Sequence, residues 1–229
     1  SFGFVAILGA VALLALTATL GATNPAGPRA SLSARLSVLR DGPSLTALLV
    51  TMVSTSGIFV LYTYLLPLVG RTTVLETSHL SAVFFVYGAG AVLGTALGGW
   101  SVDRWGSAIT LNVALGSIAV ALASLSFLTL FSPTVLTTSA VFVAVFLWGA
   151  LGWAFNPAQA HRLVSLGGAH APILLSLNAS ALHAGIAIGA ALGGALVRSA
   201  SVSHLGWVGA SIQYLALAFL VLSGALFGR

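Results

Sequence analysis

A few polar side chains interrupt a nearly continuous apolar sequence, and they do so at helical spacing. His183 follows Ser180 by three residues and Ser176 by seven, so at about 100° per residue the three share one helix face. Asn178 falls on another face, together with Gly185. An imidazole beside two hydroxyls can touch a polar substrate or carry a proton. The same pattern also suits a neutral histidine hydrogen-bonded between helices, and the balance falls to that reading. Earlier in the chain Thr51, Thr55 and Tyr62 share a side, with Tyr64 near the end of the same segment. These four either line a cavity or are explained locally. In the local reading the threonine hydroxyls bond carbonyls four residues back and the tyrosines join an interfacial aromatic belt. Asn156 precedes Pro157, and that pair reads first as a helix terminus.

Chemistry of the bond-breaking kind has little to work with. There is no cysteine, and the acidic residues Asp41, Glu76 and Asp103 all sit at the borders of apolar runs. His161, His170 and His183 are not spaced as metal ligands and lack acidic or thiol companions. No nucleophile stands beside a base, and no phosphate-binding loop is present. The expectation is a protein that is not an enzyme and needs neither metal nor cofactor.

The elements that hold these residues follow from composition. Hydrophobic residues make up 59% of the 229 and charged residues 5%, which places the chain in the lipid bilayer rather than in water. Apolar runs of about 20 residues, the length of a helical crossing, are expected at 2–22, 44–70, 78–102, 107–131, 134–156, 172–198 and 205–227. The fold class is therefore an all-α membrane protein of seven transmembrane helices. It divides into a single helix at 1–22, a linker at 23–43 and a six-helix domain at 44–229. In the linker Leu32, Leu36 and Leu39 share a face beside Arg35 and Arg40, the pattern of a short interfacial helix. The net charge of +5 comes from scattered arginines and signals orientation, not nucleic acid. With the linker cytoplasmic, Arg29, Arg35, Arg40, Arg104, Arg162 and Arg229 lie inside, and Arg71 and Arg198 outside.

One phrase is written twice. GAVLGTALGG begins at Gly90 and GIAIGAALGG at Gly185. The two fall on the second and fifth helices of the six, where corresponding members of two three-helix repeats belong. Three is odd, so the second repeat enters the membrane inverted, a construction that recurs in secondary transporters. Gly90, Gly94 and Gly98, like Gly185, Gly189 and Gly193, form smooth stripes for close helix packing. Their expected partner is a separate helical bundle, one candidate being a bundle that would precede residue 1.

GGWSVDRWG, with Gly99, Asp103, Arg104 and Gly106, resembles the loop motif of the major facilitator superfamily, in its second-half copy. FVLYTYLLPLV, NPAQAHRLVSL and SLNASALHAGIAIGAALGG are similar to stretches of its arabinose-efflux-like and drug-efflux permeases. Ser101 departs from the motif's Leu, and Ser107 and Ala108 from its basic pair. The resemblance implies the sixth helix, central linker and second half of a twelve-helix transporter in a bacterial cell membrane. It implies proton-coupled efflux of drugs, sugars or metabolites by alternating access, with the missing N-terminal helical half and the lipid bilayer as partners. Tyr62, Tyr64, Thr51, Thr55, Asn156, Asn178 and His183 would then line the substrate pathway. No acidic residue lies in mid-membrane, so the proton-coupling residue is expected in the other half. The alternative is a small complete protein, either a homodimeric transporter or a non-transporting membrane subunit.

Overall fold

The computed structural model describes residues 2–19 and 38–227; the linker's Arg29, Leu32, Arg35 and Leu36, like Arg229, lie outside them. The chain divides into two units, Ser1–Ala34 and Arg35–Arg229. The first holds one helix, α1 (Phe2–Thr19), whose sequence is apolar throughout and whose Thr17 and Thr19 hydroxyls donate back to carbonyls of its own preceding turn.

In the second unit α2 (Gly42–Tyr62) opens on Asp41, whose carboxylate accepts from the Ser44 amide at 3.0 Å, with a proline in its first turn. These are strong start signals for a helix. The helix breaks at Thr63–Tyr64 and resumes as α3 (Leu65–Thr72). Pro67 explains the break, since its ring excludes the carbonyl four residues back. A second proline acts alike. After α5 (Val135–Gly152) the chain breaks at Trp153–Ala154 and resumes as α6 (Phe155–Gly167), with Pro157 four residues beyond Trp153. Asn156 and Pro157 thus begin a helical segment rather than end one, and the expected terminus at 156 is corrected to 167. There Gly168, at φ 48°, turns the chain.

Between these lies α4 (Ala82–Leu128), two arms joined at Gly106, whose φ of 82° and ψ of 165° leave the helix and suit only glycine. Residues 82–105 and 107–128 take the place of the expected 78–102 and 107–131. The chain closes with α7 (Ala171–Ser199) and α8 (Leu205–Phe227). Every regular element among the described residues is helical, and four stretches are long and apolar enough to cross a membrane: Gly42–Tyr62, Thr77–Leu128, Val135–Ser199 and Val202–Ala225. Two of them run to 52 and 65 residues. At about 1.5 Å per residue they would far outreach a hydrocarbon core of about 30 Å if straight. The breaks at Gly106, Trp153–Ala154 and Gly168 interrupt them.

The glycine stripes decide the packing. An added Cβ at Gly90 or Gly94 would strike the carbonyl oxygens of Phe146 and Ala150, and at Gly98 the Cα of Ala154 at 2.6 Å. At Gly185, Gly189 and Gly193 it would strike the carbonyl oxygens of Met52, Ser56 and Val60. The first arm of α4 is therefore pressed backbone to backbone on α5, and α7 on α2. Both stripes are filled from within the chain. The expectation that they wait for a separate helical body is wrong, because the close approach that glycine permits is already consumed inside the bundle. α8 completes the packing against α2 and α4. Its junction is again close: a Cβ on Gly206 would meet the Leu122 carbonyl, whose neighbour Ser126 accepts the Gly206 amide at 2.8 Å. Leu61, Leu65, Ile118, Leu122 and Trp148 are buried in the main apolar core, and Leu163 and Leu174 in a smaller one beside Ala47.

Candidate functional site

The proline break between α5 and α6 does more than bend the chain. It swings Trp153 and Asn156 towards α2 and the first arm of α4, and a cavity of about 390 Å³ opens there. Ser54, Thr55, Ile58, Phe59 and Tyr62 of α2 form one wall. Tyr87 comes from α4, Trp148, Gly152, Trp153, Phe155 and Asn156 from α5, α6 and the break between them, and Leu182 and Ile186 from α7. Aromatic rings lock the wall. Tyr62 lies 5.3 Å from Tyr87 and 6.0 Å from Trp148 between ring centroids, and Tyr87 lies 5.0 Å from Trp148. Such tilted and edge-on contacts are the favoured geometries of aromatic pairs. The Trp153 indole donates to the Tyr87 hydroxyl at 3.0 Å.

Of the residues singled out by sequence, Tyr62, Thr55 and Asn156 reach this cavity. Thr51 and Asn178 do not line it. One turn along α2 they form part of a buried bridge: the Thr51 hydroxyl donates to Asn178 Oδ1 at 2.6 Å and accepts from Gln159 Nε2 at 2.9 Å. The same Gln159 nitrogen donates to the Ala47 carbonyl at 2.7 Å. Three helices, α2, α6 and α7, are thereby joined through side chains. Bonds of this kind hold membrane helices together where apolar surface offers no preference between neighbour and lipid. Tyr64 is also outside the cavity. Its ring fills the space over Gly193 and Gly194, and its hydroxyl donates to the Ala190 carbonyl at 3.3 Å.

His183 lies on the exposed side of α7 and donates from Nδ1 to the Ala179 carbonyl of its own helix at 2.7 Å. The hydrogen bond between helices expected for it is therefore replaced by one within its helix, with Ser176 and Ser180 exposed on the same face. At the loop motif, Asp103 and Arg104 are exposed. The turn is closed by hydroxyls instead: Thr110 donates to the Gly106 carbonyl at 2.9 Å, and Ser101 Oγ lies 2.8 Å from Thr110 Oγ1.

Several residues went unnoticed in the sequence. Tyr87, Trp148 and Trp153 were hidden among apolar neighbours, because aromatic residues carry no periodic mark that separates cavity from core. Gln159 and Gln213 were legible in principle, being amides inside apolar runs. Gln213 is fully buried on α8 and donates to the Ser54 carbonyl at 2.7 Å. The Ser54 hydroxyl and the carbonyl oxygens of both glutamines are buried without a partner among the described residues.

A cavity walled by aromatic and hydrogen-bonding side chains thus lies among helices long and apolar enough to cross a bilayer, the make-up of a helical membrane protein. Residues 1–171 match the model of the Major Facilitator Superfamily, and the chain belongs to that family. It is 30% identical over 209 residues to the uncharacterized MFS-type transporter YbcL of Bacillus subtilis, covering 91% of this chain and 52% of that protein. It is 29% identical over 224 residues to the inner membrane transport protein YdhP of Escherichia coli, covering 97% and 56%. The chloramphenicol efflux pump Rv0191 of Mycobacterium tuberculosis is 28% identical over 179 residues, covering 77% and 43%. The chain spans about half the length of the curated relatives it matches.

Proposed function

We propose that the chain is the second half of a bacterial inner-membrane efflux transporter, with α1 and the linker leading into it. In this reading it crosses the membrane seven times: α1, α2 with α3, the two arms of α4, α5 with α6, α7, and α8. The last six crossings form two inverted repeats. The packing pairs support that symmetry: Gly90, Gly94 and Gly98 on Phe146, Ala150 and Ala154 repeat as Gly185, Gly189 and Gly193 on Met52, Ser56 and Val60. Each repeat's second helix leans on the other repeat's first.

The substrate, a small drug, sugar or metabolite, sits in the cavity beside Tyr62, Thr55 and Asn156. It leaves when this half rocks against an N-terminal helical half. The export is driven by protons entering through a carboxylate of that other half. The relative named as a chloramphenicol efflux pump supports export over import. The observation that carries the proposal is the cavity itself, hydrogen-bonding groups held open among apolar helices in a member of a transporter family.

The experiment expresses the full reading frame in an efflux-deficient bacterium and follows accumulation of a substrate panel in energised cells and after proton-gradient collapse. Gradient-dependent export that Asn156→Ala and Tyr62→Ala both abolish is the expected result. Export untouched by either substitution overturns the cavity assignment. Coupled transport by the reconstituted 229 residues alone overturns the half-transporter reading.

A further inference from the structure

The cavity is specific about charge. Among the described residues lining it none is charged at neutral pH, while six of the thirteen are aromatic. Its polar groups are all neutral: Thr55, Tyr62 and Asn156 can each donate or accept, and two further groups are free to donate. Tyr87 already accepts a hydrogen bond from Trp153, so its own proton is left to donate. Ser54, which lines the cavity at 1% exposure, has a hydroxyl without a partner among the described residues. A buried hydroxyl in that condition forgoes a bond that a bound group would restore. The volume, about 390 Å³, is at the small end of the range of roughly 300–1,000 Å³ for small-molecule cavities. It holds one or two fused rings with a short polar substituent.

We propose that the cavity selects uncharged aromatic molecules bearing a hydrogen-bond acceptor and rejects anions and organic cations of the same size. The inference rests on the cavity being the substrate site. The physical reason is desolvation. An ion entering a site without a counter-charge loses hydration that nothing there replaces. The tyrosine and tryptophan faces attract a cation, but that attraction repays only part of the loss. For an anion they repay none, since the ring faces are negative. A neutral ring pays no such cost and gains stacking on Tyr62 and Trp148, while its substituent accepts a hydrogen bond from Tyr87 or Ser54.

The test titrates the purified 229-residue chain in lipid nanodiscs with 4-nitroacetophenone, 4-nitrobenzoate and (4-nitrobenzyl)trimethylammonium. Equilibrium dialysis is read against protein-free nanodiscs. Saturable binding of the ketone about tenfold or more tighter than either ion is expected, as is a loss of about three- to tenfold for the ketone in Tyr87→Phe and Ser54→Ala. A cation or anion binding as tightly as the ketone overturns the charge selection and leaves the cavity as the substrate site. Unchanged ketone affinity in both variants overturns the donor assignment. No saturable binding of any of the three by a monodisperse, helical preparation overturns the cavity reading together with this inference. Should Ser54→Ala fail to fold, Ser54→Cys, which keeps the bulk and weakens the same donor, takes its place; should Tyr87→Phe fail, Tyr87→Leu removes the same hydroxyl.

Discussion

The first arm of α4 and the middle of α7 are buried in the same way and exposed differently. Each presents glycines four residues apart to the backbone of a neighbour, α5 in one case and α2 in the other. On the outer side α4 shows Phe85, Val92, Leu93, Leu97 and Trp100, with Phe85 81% and Val92 73% exposed. The outer side of α7 shows mostly small or polar residues, Ser176, Ala179, Ser180, His183, Ala187, Ala191 and Ala195, and its large apolar ones, Leu175, Ile188 and Leu192, are no more than 43% exposed. Large apolar side chains are what lipid tails accommodate. Small and polar ones are what another protein surface or a wet cavity accommodates. Shared glycine spacing therefore speaks to the inside of the bundle, and the outer residues speak to what surrounds it. On the proposed reading α7, through this second face and not through its glycines, meets the other half.

The comparison breaks most severely at the glycines. Gly94→Leu and Gly189→Leu each drive a side chain into a helix backbone that has no room to move, and each is expected to cost at least about 3 kcal/mol, enough to lose the folded state. Gly88→Leu, where a Cβ meets nothing within 4 Å, is the control and leaves the unfolding midpoint of the detergent-solubilised chain nearly unchanged. If only one of the two stripe variants collapses, the two packings are not equivalent and the symmetry drawn from them fails.

The outer faces come next. On that same reading, Ala187→Phe on α7 in the full-length protein is expected to lower export by about tenfold or more through steric conflict with the facing half. Ala96→Phe, on the exposed side of α4, changes it by less than about twofold. Both should leave this chain's own thermal midpoint intact, since neither alanine is buried in it. Equal effects on export would mean that the two faces share one environment.

Much of this was legible in the sequence, and the reason it stopped where it did is physical. Hydropathy fixes where helices lie, because each crossing has to bury about 20 residues' worth of backbone polarity. Glycine spacing fixes that a face is smooth. Neither says which neighbour fills it, because the choice between a helix of the same chain and one outside it depends on the arrangement of all the helices at once. The same limit explains Pro157. As a local signal it reads as a stop, whereas a helix can resume immediately when its broken end is satisfied by neighbours. Tyr62, Thr55 and Asn156 were found because polar residues are conspicuous in apolar runs. Thr51 and Asn178 were found for the same reason and turned out to hold helices together, since hydrogen-bonding to a neighbour and facing a cavity leave the same mark on a sequence.

The buried bridge gives a smaller effect. Thr51→Val keeps the volume but leaves Asn178 without its donor and Gln159 without one of its two acceptors, at an expected cost of about 2 kcal/mol. Gln213→Leu removes one bond to the Ser54 carbonyl and, with it, an amide oxygen already lacking a partner. Its cost is expected near 1 kcal/mol or below, because deleting an unsatisfied polar atom offsets part of the lost bond. Denaturant unfolding of the two variants side by side tests the order. A Gln213→Leu protein less stable than Thr51→Val would show that the α2–α8 contact outweighs the three-helix bridge.

The smallest effect is that of Ser101, at the turn between the arms of α4, where the sequence departs from the loop motif it resembles. Ser101 stands where the motif has leucine, and its hydroxyl pairs with that of Thr110, which is 2% exposed and also donates to the Gly106 carbonyl. The Gly106 bond is the one that holds the non-helical residue in place. The Ser101 contact lies at the edge of it and is only half-buried. Ser101→Leu is therefore expected to cost under about 1 kcal/mol, and Thr110→Val, which loses both partners, about twice as much. Hydrogen exchange at residues 107–110 reads the difference locally. If the two substitutions open the turn equally, the paired hydroxyls form a single unit, and the serine is the chain's own replacement for the packing a leucine would supply.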